Sequence, residues 1–141
     1  MGDKILLPYD GSGPAKKALE YTIEKFPDAE ITALYVVPVP ENYSAAFEES
    51  KNRIPEPEQA TERGRDILDD AAAIADELGH EIDTDVDTGQ PDHVIVDRAE
   101  TDGFDSIVVG SHGREGVSRI LLGSVAESVV RRAPTPVIVV R

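Results

Sequence analysis

The feature that most limits the fold is a regular alternation of short apolar runs with longer stretches of helical periodicity. Lys4-Ile5-Leu6-Leu7-Pro8-Tyr9 reads as a first buried strand, ended by Asp10-Gly11-Ser12-Gly13. Pro14 suits a first helical turn with Ser12 or Gly13 as its cap, and Ala15, Ala18, Leu19, Thr22, Ile23 and Phe26 then recur on one helix face. Glu30 to Val37 is a second strand rich in β-branched residues, stopped by Pro38-Val39-Pro40. Residues 38–57 hold four prolines and are expected to form a long surface loop, a candidate lid or mobile segment. Glu58 to Leu78 is helical in pattern, with Ile67, Ala71, Ile74, Ala75 and Leu78 as the buried stripe and Gly79 as the stop.

The second half repeats the alternation. Glu81 to Asp87 alternates polar with apolar residues, as an edge strand with one wet face would. Gly89-Gln90-Pro91 turns into a short helix from His93 to about Thr101, and Ser106 to Val109 is a fourth strand. A last helix, Val125 to Arg132, leads to a fifth strand, Pro136 to Val140. Strands alternating with helices imply an α/β fold: a mostly parallel open sheet with helices on both faces, here a single domain over residues 1–141. With the strand order 3-2-1-4-5, strands one and four are neighbours where the order reverses. Ligands of such sheets sit at that point, beyond the carboxyl ends of the strands. Asp10 and Gly110 would flank that crevice.

The loop after strand four carries the chemistry. Gly110-Ser111-His112-Gly113 is followed, after nine intervening residues, by Gly123-Ser124, which opens the last helix. Glycines let main-chain N–H groups approach an anion, and the free N–H groups of a helix start attract negative charge. The charge distribution agrees. The net charge is −14, yet residues 110–141 hold five arginines against Glu115 and Glu127, whereas residues 1–109 hold nine basic against 26 acidic residues. An acidic chain that binds a polyanion needs such a local reversal, although Arg131 and Arg132 also suit a helix C-terminus. The overall acidity argues against general nucleic-acid binding, and with five lysines it fits a halophilic, high-salt source.

Several classes are excluded. No Cys is present, so disulfides and thiolate chemistry are out. No apolar run approaches the roughly 20 residues of a membrane span, and Met1-Gly2-Asp3-Lys4 runs straight into the first strand. No secretory signal is expected, and the cytoplasm is the default compartment. A P-loop lysine motif, a Gly-x-Gly-x-x-Gly turn after strand one and a Gly-x-Ser-x-Gly elbow are all missing. Three scattered histidines make no metal cluster, with His80 and His93 expected at the surface.

At this point the chain resembles the universal stress protein family over essentially its whole length. The matching residues are Pro8-Tyr9-Asp10-Gly11-Ser12, Gly110-Ser111-His112-Gly113-Arg114, Leu121-Leu122-Gly123-Ser124-Val125-Ala126-Glu127 and Ala133 to Val140. The G-x2-G-x9-G-[ST] spacing of the family's ATP-binding subset is met without a gap. The resemblance implies a Rossmann-like sheet and an ATP site in which Gly110, Gly113, Gly123, Ser124 and Val125 surround the ribose and phosphates. Pro8 and Asp10 would line the adenosine side, Val36 would offer its backbone to the adenine edge, and Val109 would sit beneath. Magnesium or manganese would be held by the phosphates rather than by protein ligands. The resemblance also implies a homodimer formed through Val137 to Val140.

Each residue has a plainer reading beside this one. The glycines also suit a turn, and Asp10 also suits a turn or cap. Ser124 and Glu127 read as a capping box, with Ser124 capping the empty site and meeting phosphate in the loaded one. Arg114 and Arg119 either pair with the triphosphate or are solvated; His112 either touches phosphate or shapes the loop. Three functions follow: an ATP-dependent sensor or regulator of the stress response with an unknown protein partner, a nucleotide-independent dimeric interaction module, and a weak ATPase or self-phosphorylating protein using Ser111, Ser118 or Ser124. No residue reads as a general base, so hydrolysis is expected to be slow at most.

Overall fold

The computed structural model describes residues 2–38, 57–111 and 123–141. The strands are β1 (Lys4–Pro8), β2 (Glu30–Pro38), β3 (Asp83–Gly89), β4 (Ser106–Gly110) and β5 (Val137–Val140), and they pair in parallel in the order β3-β2-β1-β4-β5. The described helices are α1 (Gly13–Lys25), α2 (Pro57–Glu77), α3 (Pro91–Thr101) and α4 (Ser124–Arg132). The open parallel sheet with helices on both faces is therefore the α/β fold that the alternation implied. Most of the expected 38–57 loop falls outside the described residues.

Side-chain alternation along the strands builds two cores. Ile5, Leu7, Ile31, Ala33 and Val108 face α1 and α2, where Ala18, Leu19, Leu68 and Ala71 meet them. Leu6, Leu34, Ile107 and Val109 face α3 and α4, where Ile95, Ala99, Ala126 and Val129 meet them. Ile5, Leu6 and Leu7 are all 0 % exposed, as a central strand covered on both sides must be. At the other extreme, β3 is an edge strand, and its aspartates are countered from α3: Arg98 reaches Asp85 at 2.7 Å and Asp87 at 3.7 Å, and pairs with Asp102 at 2.7 Å.

The buried stripe of α2 differs from its expected course. Leu68, Ala71 and Ala75 are buried, Ile67 and Ile74 flank them, and Leu78 is 51 % exposed. The stripe begins at Gly64, where an added Cβ would run into the Tyr35 ring, so this helix lies close against β2. Leu78 falls outside it because the helix has already closed. The His80 N–H donates to the Ala75 carbonyl at 2.9 Å and the Gly79 N–H to that of Asp76 at 3.0 Å, with Gly79 at φ +77°. That left-handed closing turn swings Leu78 off the core face. His80 is half-buried rather than a free surface residue, its Nε2 donating to the Ala29 carbonyl at 3.2 Å. His93 is exposed at its side chain.

Candidate functional site

Because β1 and β4 are adjacent and the strand order reverses between them, the loops leaving their carboxyl ends diverge to opposite faces and leave a cleft. It measures about 390 Å³. Pro8 and Asp10 enter it from β1, Val36 from β2, Val109 and Gly110 from β4, and Gly123, Ser124 and Val125 from the start of α4. Sequence elements more than a hundred residues apart thus share one cavity. Gly113 and Arg114 lie outside the described residues, as do His112, Ser118 and Arg119.

One wall is held firmly. The Asp10 carboxylate accepts the Ser12 N–H at 3.0 Å, and the Ser12 hydroxyl in turn accepts the Ala15 N–H at 3.3 Å. Ser12 is therefore the α1 cap, and the turn engages Oδ1 of Asp10 while its carboxylate stays exposed at the rim. Behind the turn, Tyr9 is 2 % exposed and its hydroxyl has no partner among the described residues. Burial raises the pKa of this phenol above its usual value, and the negative charges of Asp70, Asp10 and Glu20 raise it further. Gly110 closes the floor. A Cβ there would collide with the Pro14 carbonyl, so the missing side chain lets β4 meet the first turn of α1.

The opposite wall is open to hydrogen bonding. Gly123, not Ser124, is the α4 N-cap, and among the described residues no side chain caps it. Its carbonyl accepts the first helical bond, from the Glu127 N–H at 2.9 Å. The expected Ser124–Glu127 capping box is absent because Ser124 already has helical geometry, which places Glu127 one position too far along. The Glu127 carboxylate instead pairs with Arg131 at 2.7 Å. The N–H groups of the first α4 turn have no intrahelical acceptor, and its residues Ser124, Val125 and Ala126 line the cleft, where the helix dipole adds positive potential. By contrast, the Ser111 N–H is spent on the Val140 carbonyl at 2.8 Å, and Ser111 is 7 % exposed. That burial removes it as an accessible phosphate acceptor.

Much of the remaining lining is apolar and comes from residues that sequence reasoning did not assign to it. Pro91 and Ile95 of α3 line it beside Leu34 and Val129. A signal existed, since every helix that follows a parallel strand starts at the same rim of the sheet, α3 included. The cavity thus offers an apolar slot, one rim carboxylate and an uncapped helix start. Those features fit a flat base, a hydroxylated sugar and a phosphate.

The whole chain, residues 1–141, matches the family model described as the universal stress protein family. The chain belongs to that family. The universal stress protein MJ0531 of Methanocaldococcus jannaschii is 40% identical over 140 residues, covering 98% of this chain and 81% of that protein. The solved structure of the protein MJ0577 superposes with a TM-score of 0.77 at 32% identity, over 99% of this chain and 96% of that one. A universal stress protein family protein from Arabidopsis thaliana, solved with AMP bound, shares the fold at a TM-score of 0.70 and 23% identity, over 98% of this chain and 90% of that one.

Proposed function

We propose that the cleft binds an adenine nucleotide, ATP in the first place, and that the protein acts as a nucleotide-dependent sensor or regulator in the stress response. The observation that carries this reading is the juxtaposition of an apolar slot with the uncapped α4 start across the switch point of the sheet. The base lies between Val36 and Val109, with Ile95 beside it, and the Val36 backbone reads the adenine edge. Pro8 and Asp10 hold the adenosine side, the free carboxylate oxygen being suited to ribose hydroxyls. Gly110, Gly123, Ser124 and Val125 take the phosphates, joined by Gly113 and Arg114. The AMP bound by the Arabidopsis relative supports an adenylate over other anions.

A magnesium or manganese ion is assigned to the phosphates rather than to protein ligands. Two copies pair through β5, an edge strand whose four residues are all half-buried. The protein works in a high-salt cytoplasm, where short hydrogen bonds from backbone N–H groups outlast long-range attraction. No helix among the described residues is long and apolar enough to cross a membrane.

Calorimetric titration with Mg-ATP in molar KCl tests the site, with Gly123→Val as the control. Gly123 sits at φ −64° and ψ 160°, extended backbone open to any residue, so the larger side chain obstructs the ligand at the cost of a poorer N-cap, about 1 kcal/mol. Binding with a Kd on the order of micromolar, abolished in the variant, is expected. Equal affinity in the two proteins would defeat the assignment. Failure of a correctly folded, nucleotide-free dimer to bind would favour the interaction-module reading.

A further inference from the structure

α4 has only nine residues, and among them only Ala126 and Val129 are buried. A helix this short is marginal alone, so its orientation comes from tertiary contacts. Two small apolar anchors, Ala126 and Val129, pack it into the core. Its polar face adds a directional restraint. Ser124, Ser128 and Arg132 are spaced four residues apart and so share one face. The Ser128 hydroxyl donates to Asp92 Oδ2 at 2.7 Å, and Arg132 donates to His93 Nε2 at 2.9 Å. Consecutive residues of the first α3 turn therefore hold the second and third members of the stripe, while the first, Ser124, lies in the cleft.

The two links are unequal. His93 and Arg132 are exposed, whereas the Asp92 side chain is only 23% exposed and its bond to Ser128 is partly buried. Asp92 also stands on a rigid base. It follows Pro91 at the start of α3, a helix end that favours a carboxylate, and α3 is itself tied to β3 through Arg98.

We infer that Asp92 and Ser128 are a positioning pair, whose hydrogen bond sets the α4 start over the cleft and so tunes the nucleotide affinity of the site. This rests on the nucleotide reading above. Neither residue lines the cleft. They act through Ser124 and Val125, by holding the backbone donors where a phosphate meets them, much as outer residues steady ligating ones elsewhere.

The test is calorimetric titration of the full chain with Mg-ATP, comparing the unaltered protein with Ser128→Ala, Asp92→Ala, the double variant, Ser128→Thr and Arg131→Ala. Ser128→Ala is expected to weaken binding about tenfold, equivalent to ~1.4 kcal/mol, because it removes a bond to a charged acceptor. The double variant should be no weaker than the poorer single one, as for two groups acting as a unit. Ser128→Thr keeps the hydroxyl and should restore most of the affinity. Arg131→Ala removes the exposed Glu127 pair from the same helix and should leave binding unchanged. Affinity in Ser128→Ala within about twofold of the unaltered protein would overturn the inference. So would equal losses in Ser128→Ala, Ser128→Thr and Arg131→Ala, which would mean general loosening of α4. Absence of binding by the unaltered protein would overturn the nucleotide reading itself, and this inference with it.

Discussion

Replacing Gly110 with Ala separates two reasons for a glycine at the mouth of the cleft. A Cβ at this position would stand 2.9 Å from Pro14 Cβ and closer still to the Pro14 carbonyl. The Pro14 carbonyl carbon would be at 2.5 Å, and ordinary carbon contacts lie near 3.5 Å or beyond, so the two segments must part by about 1 Å. Neither yields easily. The α1 start is pinned by the Ser12 cap and by Ala15 and Ala18, at 5 % and 0 % exposure, and β4 is hydrogen-bonded between β1 and β5. Overpacking against backbone of this kind costs about 2–3 kcal/mol, a large share of the roughly 5–15 kcal/mol that holds such a domain folded. Urea unfolding followed by circular dichroism should show the midpoint falling by roughly 1 M. Gly123→Ala, at an unstrained φ and ψ, should cost only the poorer N-cap, about 1 kcal/mol, and shift the midpoint by less. A shift below about 0.5 kcal/mol in Gly110→Ala would refute the packing argument and return this glycine to the ligand alone.

Tyr9→Phe removes a buried hydroxyl that has no partner among the described residues, and should stabilise the protein by about 1 kcal/mol, or roughly 3 °C in Tm. A loss of stability would show that the hydroxyl is bonded in solution. The pH dependence has a definite sign. The folded state binds the Tyr9 proton more tightly than the unfolded chain, so this contribution is complete below about pH 10 and is lost as pH rises through the folded value. Thermal unfolding across that range should therefore fall less steeply in Tyr9→Phe. Arg98→Met leaves Asp85 and Asp87 unneutralised two residues apart on the β3 edge. It should cost about 1–2 kcal/mol at low salt and much less in molar KCl, and a salt-independent loss would argue that packing, not charge, is what Arg98 provides.

Much of the architecture was legible locally. The unbroken Ile5-Leu6-Leu7 run read as a buried strand and is covered on both sides, and the alternation around Asp83, Asp85 and Asp87 suited the edge strand that it forms. Gly79 marked the end of α2, and Pro91 opened α3 two residues before the expected start, as its fixed φ favours. The strand ends then indicated which loops would meet. Such features depend on a few neighbouring residues and on the side-chain period, both of which a sequence carries explicitly.

What the sequence left open all depends on distances between elements. The Ser124–Glu127 spacing suited a cap, and the helix began one residue too early for it. Leu78 fitted the helical period, and the closing turn took it off the core while Leu68 went in. Gly110 belonged to a ligand motif, yet its contact with Pro14 arises only when α1 packs against β4. Asp92 and Ser128, thirty-six positions apart, carried no mark of being partners. Local patterning determined which residues become strands, helices and turns, because those choices are made by nearest neighbours. The sheet order and the rotation of each helix upon it determined which polar groups meet, because that is fixed only when both cores close at once.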